Sequence, residues 1–260
     1  MKRFHALEWE DLSWFPSSWR DFGTDYLSFV ARKFDIYKVI LPVLEKGLKA
    51  SKNEKWIDCA SGGGSAILTL IEPLKEKFPN LKVKLSDFYP NIKTFQRIKE
   101  ESQHEIDFEI NSIDATNIPE LHQGKFRTMF ASFHHFRPKQ ALAILQNAVD
   151  TNSPIAIFEP VGRNFFSFFS MLFVILNVLI FTPFIRPFRL SVLPFIYIIP
   201  LIPLYILWDG LASIFRNYSV KEMEDLVSNL SNKEKFVWEI GVKKNKGIPT
   251  YFLLGIPKKI

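Results

Sequence analysis

Three acids and a glycine triplet stand where a chain can grip a polar ligand. Residues 56–66 read WIDCASGGGSA: a short apolar stretch ends in Asp58, and Gly62, Gly63 and Gly64 lead into a helical pattern. Glycines there let the backbone approach a ligand closely and turn tightly. The helix start adds unpaired N–H donors and a positive field. A glycine triplet alone also suits a plain flexible turn. Asp87, in KLSDFYPN, ends the next apolar stretch. It lies roughly 20 residues past the glycines, where a carboxylate can accept two hydrogen bonds from a vicinal diol. Asp114, in SIDATNIP, ends a third stretch and reads equally as a helix-capping acid. His134 and His135, in FRTMFASFHHFRP, follow a fourth. A histidine near neutrality can take a proton from a hydroxyl or amine, although paired histidines also serve as packing. Glu159, in IFEP, ends a fifth stretch, and Arg127 is a further charged candidate. The five histidines are scattered and no Cys/His/acid spacing recurs, so no metal site is expected.

The elements that must position these residues follow from periodicity. Lys55–Ala60 reads as a strand, followed by a helix over about Ser65–Phe78. Lys82–Ser86 is the next strand, with a helix from near Asn91. Asp107–Ile110 and Thr128–Ser132 are the third and fourth strands, with a helix at Lys139–Val149. Ile155–Glu159 is the fifth. Short apolar strands alternating with helices predict a parallel, doubly wound α/β sheet. Ligands bind such sheets at the carboxyl ends of the strands, where Asp58, Asp87, Asp114, the histidines and Glu159 all fall. Ser219 is placed to cap a helix to about Leu230. Two last strands, Phe236–Val242 and Thr250–Ile256, are joined by a loop at Lys243–Gly247 and should pair antiparallel. Ahead of the first strand, a helical stretch runs from about Asp25 to Leu48, after the aromatic residues Trp9, Trp14, Phe15, Trp19 and Phe22.

The Asp58–Gly64 loop resembles the Asp-x-Gly-x-Gly-x-Gly signature of class I methyltransferases. Asp58, Gly62 and Gly64 match, and Ala60 replaces the first glycine. The resemblance implies a Rossmann-like sheet ending in an antiparallel hairpin, and S-adenosylmethionine as cofactor. It implies that Asp58, Ala60, Ser61, Gly62 and Gly64 lie against the methionine and ribose portions. Asp87 and Phe88 would follow at the ribose, Asp114 and Ala115 at the adenine, and Ser132 beside them. His134, His135 and Glu159 remain the candidate catalytic groups. The chain is also similar to a bacterial subgroup of uncharacterised class I methyltransferases with an apolar insertion after strand five. The matching pieces are EDLSWFPSSWRDFGTDYL, SDFYPN, FRTMFASFHHFRP, IFEP and WDGLASIFRNYS, which reach over nearly the whole length. A nucleic-acid methyltransferase would want an Asn/Asp-Pro-Pro-aromatic element after strand four, where this chain has SFHHF.

Composition speaks to the acceptor. The 260 residues carry a net charge of +6 without a Lys/Arg-rich run, which favours an anionic surface over nucleic acid. Their 26 Phe against 7 Tyr indicate a dry, greasy environment. Cys59, the single cysteine, reads as a small buried hydrophobe. The N-terminal residues lack the apolar core of a signal peptide, so the enzyme part is expected in the cytosol. Three blocks result: a helical cap at 1–50, the sheet domain at 51–160 and 211–260, and an apolar insertion at 161–210. Phe165–Ile185 and Leu190–Trp208 hold no charge, and a helical run of about 20 apolar residues spans a bilayer. Arg186 and Arg189 at the tip of such a hairpin oppose the positive-inside tendency, and Pro194, Pro200 and Pro203 break a second helix. A spanning hairpin, a re-entrant or monotopic one, and a soluble cap over the site are the alternatives. Each places an apolar wall beside the cleft and predicts a lipophilic substrate, with the membrane as partner and the cytoplasmic membrane face as location in the first two. Asp209 and Arg216 are expected to pair with each other or to meet substrate, the structural pair being the plainer reading. A membrane-associated S-adenosylmethionine-binding protein without turnover is the alternative function.

Overall fold

The computed structural model describes residues 2–51 and 54–258. It divides into two compact units: Met1–Phe34 with Val161–Asn217, and Asp35–Pro160 with Tyr218–Ile260. Helix α1 (Ser17–Lys33) opens the smaller unit. The larger unit begins with α2 (Leu41–Ala50) and β1 (Lys55–Asp58), then the short helices α3 (Ser65–Leu68) and α4 (Ile71–Lys75). It continues through β2 (Lys82–Leu85), α5 (Ile92–Glu101), β3 (Ile106–Phe108), β4 (Phe126–Phe130), α6 (Pro138–Asp150) and β5 (Ile155–Glu159). The chain then builds the smaller unit with α7 (Phe165–Met171), α8 (Val174–Phe181), α9 (Pro194–Tyr197) and α10 (Leu201–Arg216). It returns to the larger unit with α11 (Val220–Ser228), β6 (Phe236–Asn245) and β7 (Ile248–Pro257).

In the larger unit seven strands form one sheet in the order β3-β2-β1-β4-β5-β7-β6. The first five are parallel; β7 pairs antiparallel with both β5 and β6. Register aligns Asp58 with Leu85 on one side and Thr128 on the other, so these strands end together. Strand β5 is buried along its length, as expected of a parallel strand covered on both faces. One face packs Ile57, Met129, Ile157 and Leu253 against Leu145 of α6 and Met223 of α11. Helix α2 lies against β4, β5 and β7. Gly47 makes that approach possible: a Cβ there would stand 2.3 Å from the Phe126 ring. Helix starts follow local chemistry. The Asn91 side chain accepts from Thr94 N ahead of α5, and Ser219 and Glu222 cap α11 reciprocally.

The smaller unit has its own core, in which Phe15, Phe22 and Tyr26 meet Val178, Ile196, Ile202 and Tyr205. Its N-terminal segment is stitched along α10. Asp209 accepts from the backbone N–H of Trp9 and Glu10, Arg216 binds Glu8 at 2.8 Å and Asp11 at 2.7 Å, and Ser213 donates to Glu8. Asp209 and Arg216 therefore serve this segment and not each other, contrary to the expected pair.

Several expected boundaries move. The single helix over Asp25–Leu48 is two, because Asp35 takes a left-handed φ of 51° and Pro42 starts α2. Residues 35–50 join the sheet unit and 211–217 stay with α10, so the divisions fall at 34 and 217 in place of 50 and 210. The helix over Ser65–Phe78 is broken between Leu68 and Ile71. The last hairpin is tighter than expected: Asn245 faces Ile248 across a two-residue turn in which Lys246 and Gly247 both have positive φ, the form that matches strand twist. Among the described residues no single helix is long and apolar enough to cross a membrane. Two bent pairs pass by length and composition, one kinked by 47° and the other by 79°.

Candidate functional site

The carboxyl ends of β1, β2, β4 and β5 gather most of the candidate residues. The loop after β1 leaves the strand in left-handed backbone: φ is 50° at Ala60, 50° at Gly62 and 60° at Gly64. The loop is pinned to the end of β2, where Ser61 N donates to Ser86 O and Ser86 Oγ donates to Asp58 O. At Gly64 a Cβ would press within 2.7 Å of Leu85, so the helix start packs closely on β2. At Gly62 a Cβ would meet nothing within 4 Å, so the backbone borders open space where a ligand can lie. Ala60 is the one position of the signature where a side chain carries this backbone at a cost. Ala60→Gly should raise stability by about 1 kcal/mol, read from the urea midpoint; an unchanged or lowered midpoint would contradict the strain.

Asp87 is the polar anchor of that space. Its Oδ2 accepts from Gly62 N at 3.0 Å and its Oδ1 from Tyr89 N at 2.9 Å. Each carboxylate oxygen keeps a second lone pair for a ligand donor. Phe88 and Tyr89 follow it as an exposed edge-to-face pair. Asp114 reaches the same rim, since Ile113 N donates to Asp87 O. Its Oδ1 accepts from both N and Oγ1 of Thr116, so it also performs the capping role. Ala115 is buried in the core beside it.

Asp58 turns inward. Its Oδ1 accepts from Thr128 Oγ1 at 2.5 Å, and Thr128 Oγ1 accepts from Trp56 Nε1 at 2.6 Å. The group bolts β1 to β4 from within the sheet. Burial pushes its carboxyl up to about 7, opposed by hydrogen bonds from Thr128 and Ser61. A carboxyl raised by folding binds its proton more tightly in the folded chain. Its stabilising contribution is greatest below pH ~4 and is lost as pH rises from there to about 7. Asp58→Asn mimics the protonated form. Relative to wild type, its unfolding free energy should gain roughly 2–4 kcal/mol between pH 4 and pH 8; parallel urea-denaturation profiles for the two proteins would refute this.

The end of β4 carries a second group. Ala131 is left-handed at φ 47° and a short turn, Phe133–His135, follows. This turn lays His134 on Glu159 at the end of β5. His134 Nδ1 stands 2.9 Å from Glu159 Oε2, and His134 N donates to Oε1 at 3.1 Å. Glu159 is fully buried and His134 nearly so, so the carboxylate touches the histidine and not a ligand. The His135 ring lies 4.3 Å from the His134 ring. Ser132 Oγ is buried and has no hydrogen-bond partner among the described residues.

One candidate, and the single cysteine, stand apart. Arg127 lies within β4, its guanidinium held by Asn147 at 2.7 Å and Thr151 at 2.8 Å. Burial draws it down to about 10, and it buttresses α6. Cys59 is buried, its thiol pushed up to about 12 by burial, and so is unreactive packing. One residue was missed. Tyr37 is buried, edge-on to Phe130 at 5.2 Å, and its phenol is driven upward by burial and then by the charges of Glu159 and Asp58. It thus borders both strand ends. Its position ahead of α2 gave no hint of this. Thr128, the lone hydroxyl of β4, was the only sequence signal of Asp58's inward partner.

No protein-family model matches the chain, and no curated protein does. Solved structures do. The plantazolicin methyltransferase BpumL in complex with SAH superposes with a TM-score of 0.52 at 10% identity, over 93% of this chain and 88% of that one. The pyocyanin biosynthetic protein PhzM gives 0.51 at 10% identity, over 88% of this chain and 56% of its own. The methyltransferase domain of bacterial CtHen1 gives 0.51 at 15%, over 85% of this chain and 99% of its own. The chain thus spans little more than half the length of PhzM. It has the Rossmann-like fold of the class I methyltransferases.

Proposed function

We propose that this chain is an S-adenosylmethionine-dependent methyltransferase that acts on a lipophilic small molecule or lipid at the cytoplasmic face of a membrane. The contact between Asp87 and Gly62 N, beside open space at the carboxyl edge of the sheet, carries the reading. It offers a carboxylate for a ribose diol next to a backbone turn without side chains, which fits the cofactor's shape. The complex of the BpumL methyltransferase with SAH in the same fold supports it.

Bound there, S-adenosylmethionine supplies an electrophilic methyl carbon on a sulfonium. The chain's own residues hold and position. Asp87 fixes the ribose end, and the Asp58–Thr128–Trp56 chain keeps β1 and β4 in register beneath it. Glu159 stands 2.9 Å from His134 Nδ1 and orients the ring. In this proposal the His134 ring takes the proton which the acceptor's oxygen, nitrogen or carbon loses as it gains the methyl group. The remaining contribution is alignment of acceptor and donor.

The lipophilic acceptor is supported by the apolar character of the insertion that directly follows β5. Isothermal titration with S-adenosylmethionine tests the cofactor claim, and no heat from folded wild-type protein would end it. Fractionation tests the location: a wild-type chain that stays soluble without detergent would remove the membrane from the proposal. A second reading, cofactor binding without turnover, is favoured by the strained Ala60 in the signature loop. Binding without formation of S-adenosylhomocysteine against a lipid extract would select it.

A further inference from the structure

Helices α7 and α8 are apolar on both faces. One face, with Val174, Val178 and Ile185, is buried in the core of the smaller unit. The other carries Phe165, Phe169, Leu172, Leu176, Ile180 and Phe184, spaced at three or four residues and each 48–84% exposed. A surface helix of a water-soluble unit puts polar residues on its outer face, and this one does not. The pair α9–α10 repeats the pattern. Ile196, Ile202 and Ile206 face inward, while Tyr197, Leu201, Leu204 and Trp208 are 42–49% exposed at the same spacing. Helix α10 packs against α7, α8 and α9, so both stripes belong to one body.

Length and charge identify what covers these stripes. Helices α7, α8 and α10 have 7, 8 and 16 residues. At 1.5 Å per residue the longest reaches about 24 Å, short of a bilayer core of about 30 Å. Only as pairs do they reach a bilayer's length, and these pairs are bent by 47° and 79°, the form of a broken or re-entrant segment. From Val161 to Trp208 the only charges are Arg163, Arg186 and Arg189, with no acid. Arg189 is committed to Asp25 at 2.5 Å, and Arg163 to the carbonyl of Asn217. Arg186 is exposed between the two helix pairs, its guanidinium 5.8 Å from the Phe188 ring; its Nη1 donates to the carbonyls of Pro183 and Ile185, which caps the turn and holds the cation at that end of α8. Lys33, also exposed, sets its ammonium 5.5 Å over the Phe181 ring, at the same end of α8. Cations rising from an aromatic surface suit lipid phosphates at the depth where acyl chains begin.

We propose that the two stripes are immersed in a single leaflet of an anionic phospholipid membrane, with Arg186 and Lys33 at the phosphates. This rests on the membrane-surface reading above and deepens it by naming the contact, its lipid and its depth. The helices lie along the leaflet, and no segment reaches the far side.

The test uses the full chain added to preformed vesicles of phosphatidylcholine, alone or mixed with phosphatidylglycerol, followed by flotation. Wild type should float with the mixed vesicles. Phe165→Ser, Phe169→Ser and Leu172→Ser combined should cut partitioning at least ~10-fold. Their exposed positions leave the fold intact, which circular dichroism checks. Arg186→Glu should remove the preference for phosphatidylglycerol. A cysteine at Phe188→Cys should not react with an impermeant maleimide sealed inside the vesicles. Labelling from inside would overturn the single-leaflet mode. So would a soluble dimer that the triple variant splits, or floating unaffected by the variants. Titration with S-adenosylmethionine runs in parallel. Cofactor binding without floating defeats this inference alone, and floating without cofactor binding defeats the methyltransferase reading alone.

Discussion

Asp87→Ala is expected to weaken S-adenosylmethionine binding at least ~100-fold. Two losses combine. A carboxylate accepting from a vicinal diol makes two charge-assisted hydrogen bonds, each contributing about 1.5–3 kcal/mol. The same carboxylate also holds Gly62 N and Tyr89 N, so its removal releases the glycine loop and the turn beyond β2. A loss of 3 kcal/mol already exceeds 100-fold. Asp87→Asn keeps the shape and one acceptor, and should fall between the two. Asp87 is half-buried at the rim, so the fold should survive. Isothermal titration on folded protein decides; a dissociation constant within threefold of wild type would remove Asp87 from the cofactor site.

His134→Ala is expected to lower kcat by ~10²–10⁴ while leaving cofactor affinity within about threefold. The effect separates chemistry from binding, because His134 stands at the end of β4 and not on the glycine loop. Glu159→Gln is a positioning change: an amide no longer dictates which nitrogen of His134 carries the proton. It should lower kcat by a smaller factor and move the pH dependence of kcat/KM. The assay is S-adenosylhomocysteine release against a lipid extract, over pH 6–9. His134→Ala turning over within fivefold of wild type would end the proposed base. A Glu159→Gln profile parallel to wild type would reduce that contact to packing.

The sequence carried the sheet further than it carried the site. Strand β5 was legible to the residue, and the Ser219 cap placed α11, because both are local: an apolar run between polar ends, and a serine three residues ahead of a glutamate. The break at Asp35 was not legible. A left-handed aspartate inside a continuous apolar periodicity changes the direction of the chain without changing its pattern. For the same reason the two units part at 34 and 217, inside helical pattern, where composition alone set the limits at 50 and 210. Within the site, Asp87 lies just past β2 and meets the glycine loop at Gly62 N. Asp58 was correctly placed at a strand end, but its carboxyl turns into the sheet toward Thr128, a direction fixed by the register of β1 on β4. Tyr37 and the coupling of His134 to Glu159 also depend on which strand ends become neighbours. The expected pairing of Asp209 with Arg216 failed because both partners come from the N-terminal segment, some 200 residues away in sequence.

That stitched segment bears on the order of synthesis. The N-terminal aromatic stretch, through Phe34, leaves the ribosome long before its partners on α7–α10. At about 5–20 residues per second, the wait until Asn217 emerges is on the order of 10–40 s. Throughout it Phe15, Phe22 and Tyr26 have no core to enter, and the outer edge of β5 has no β7. The larger unit is likewise incomplete until the last strand is made. Neither unit can therefore close during elongation, and the apolar residues of both cores stay open on the nascent chain until α10 and β7 have been made.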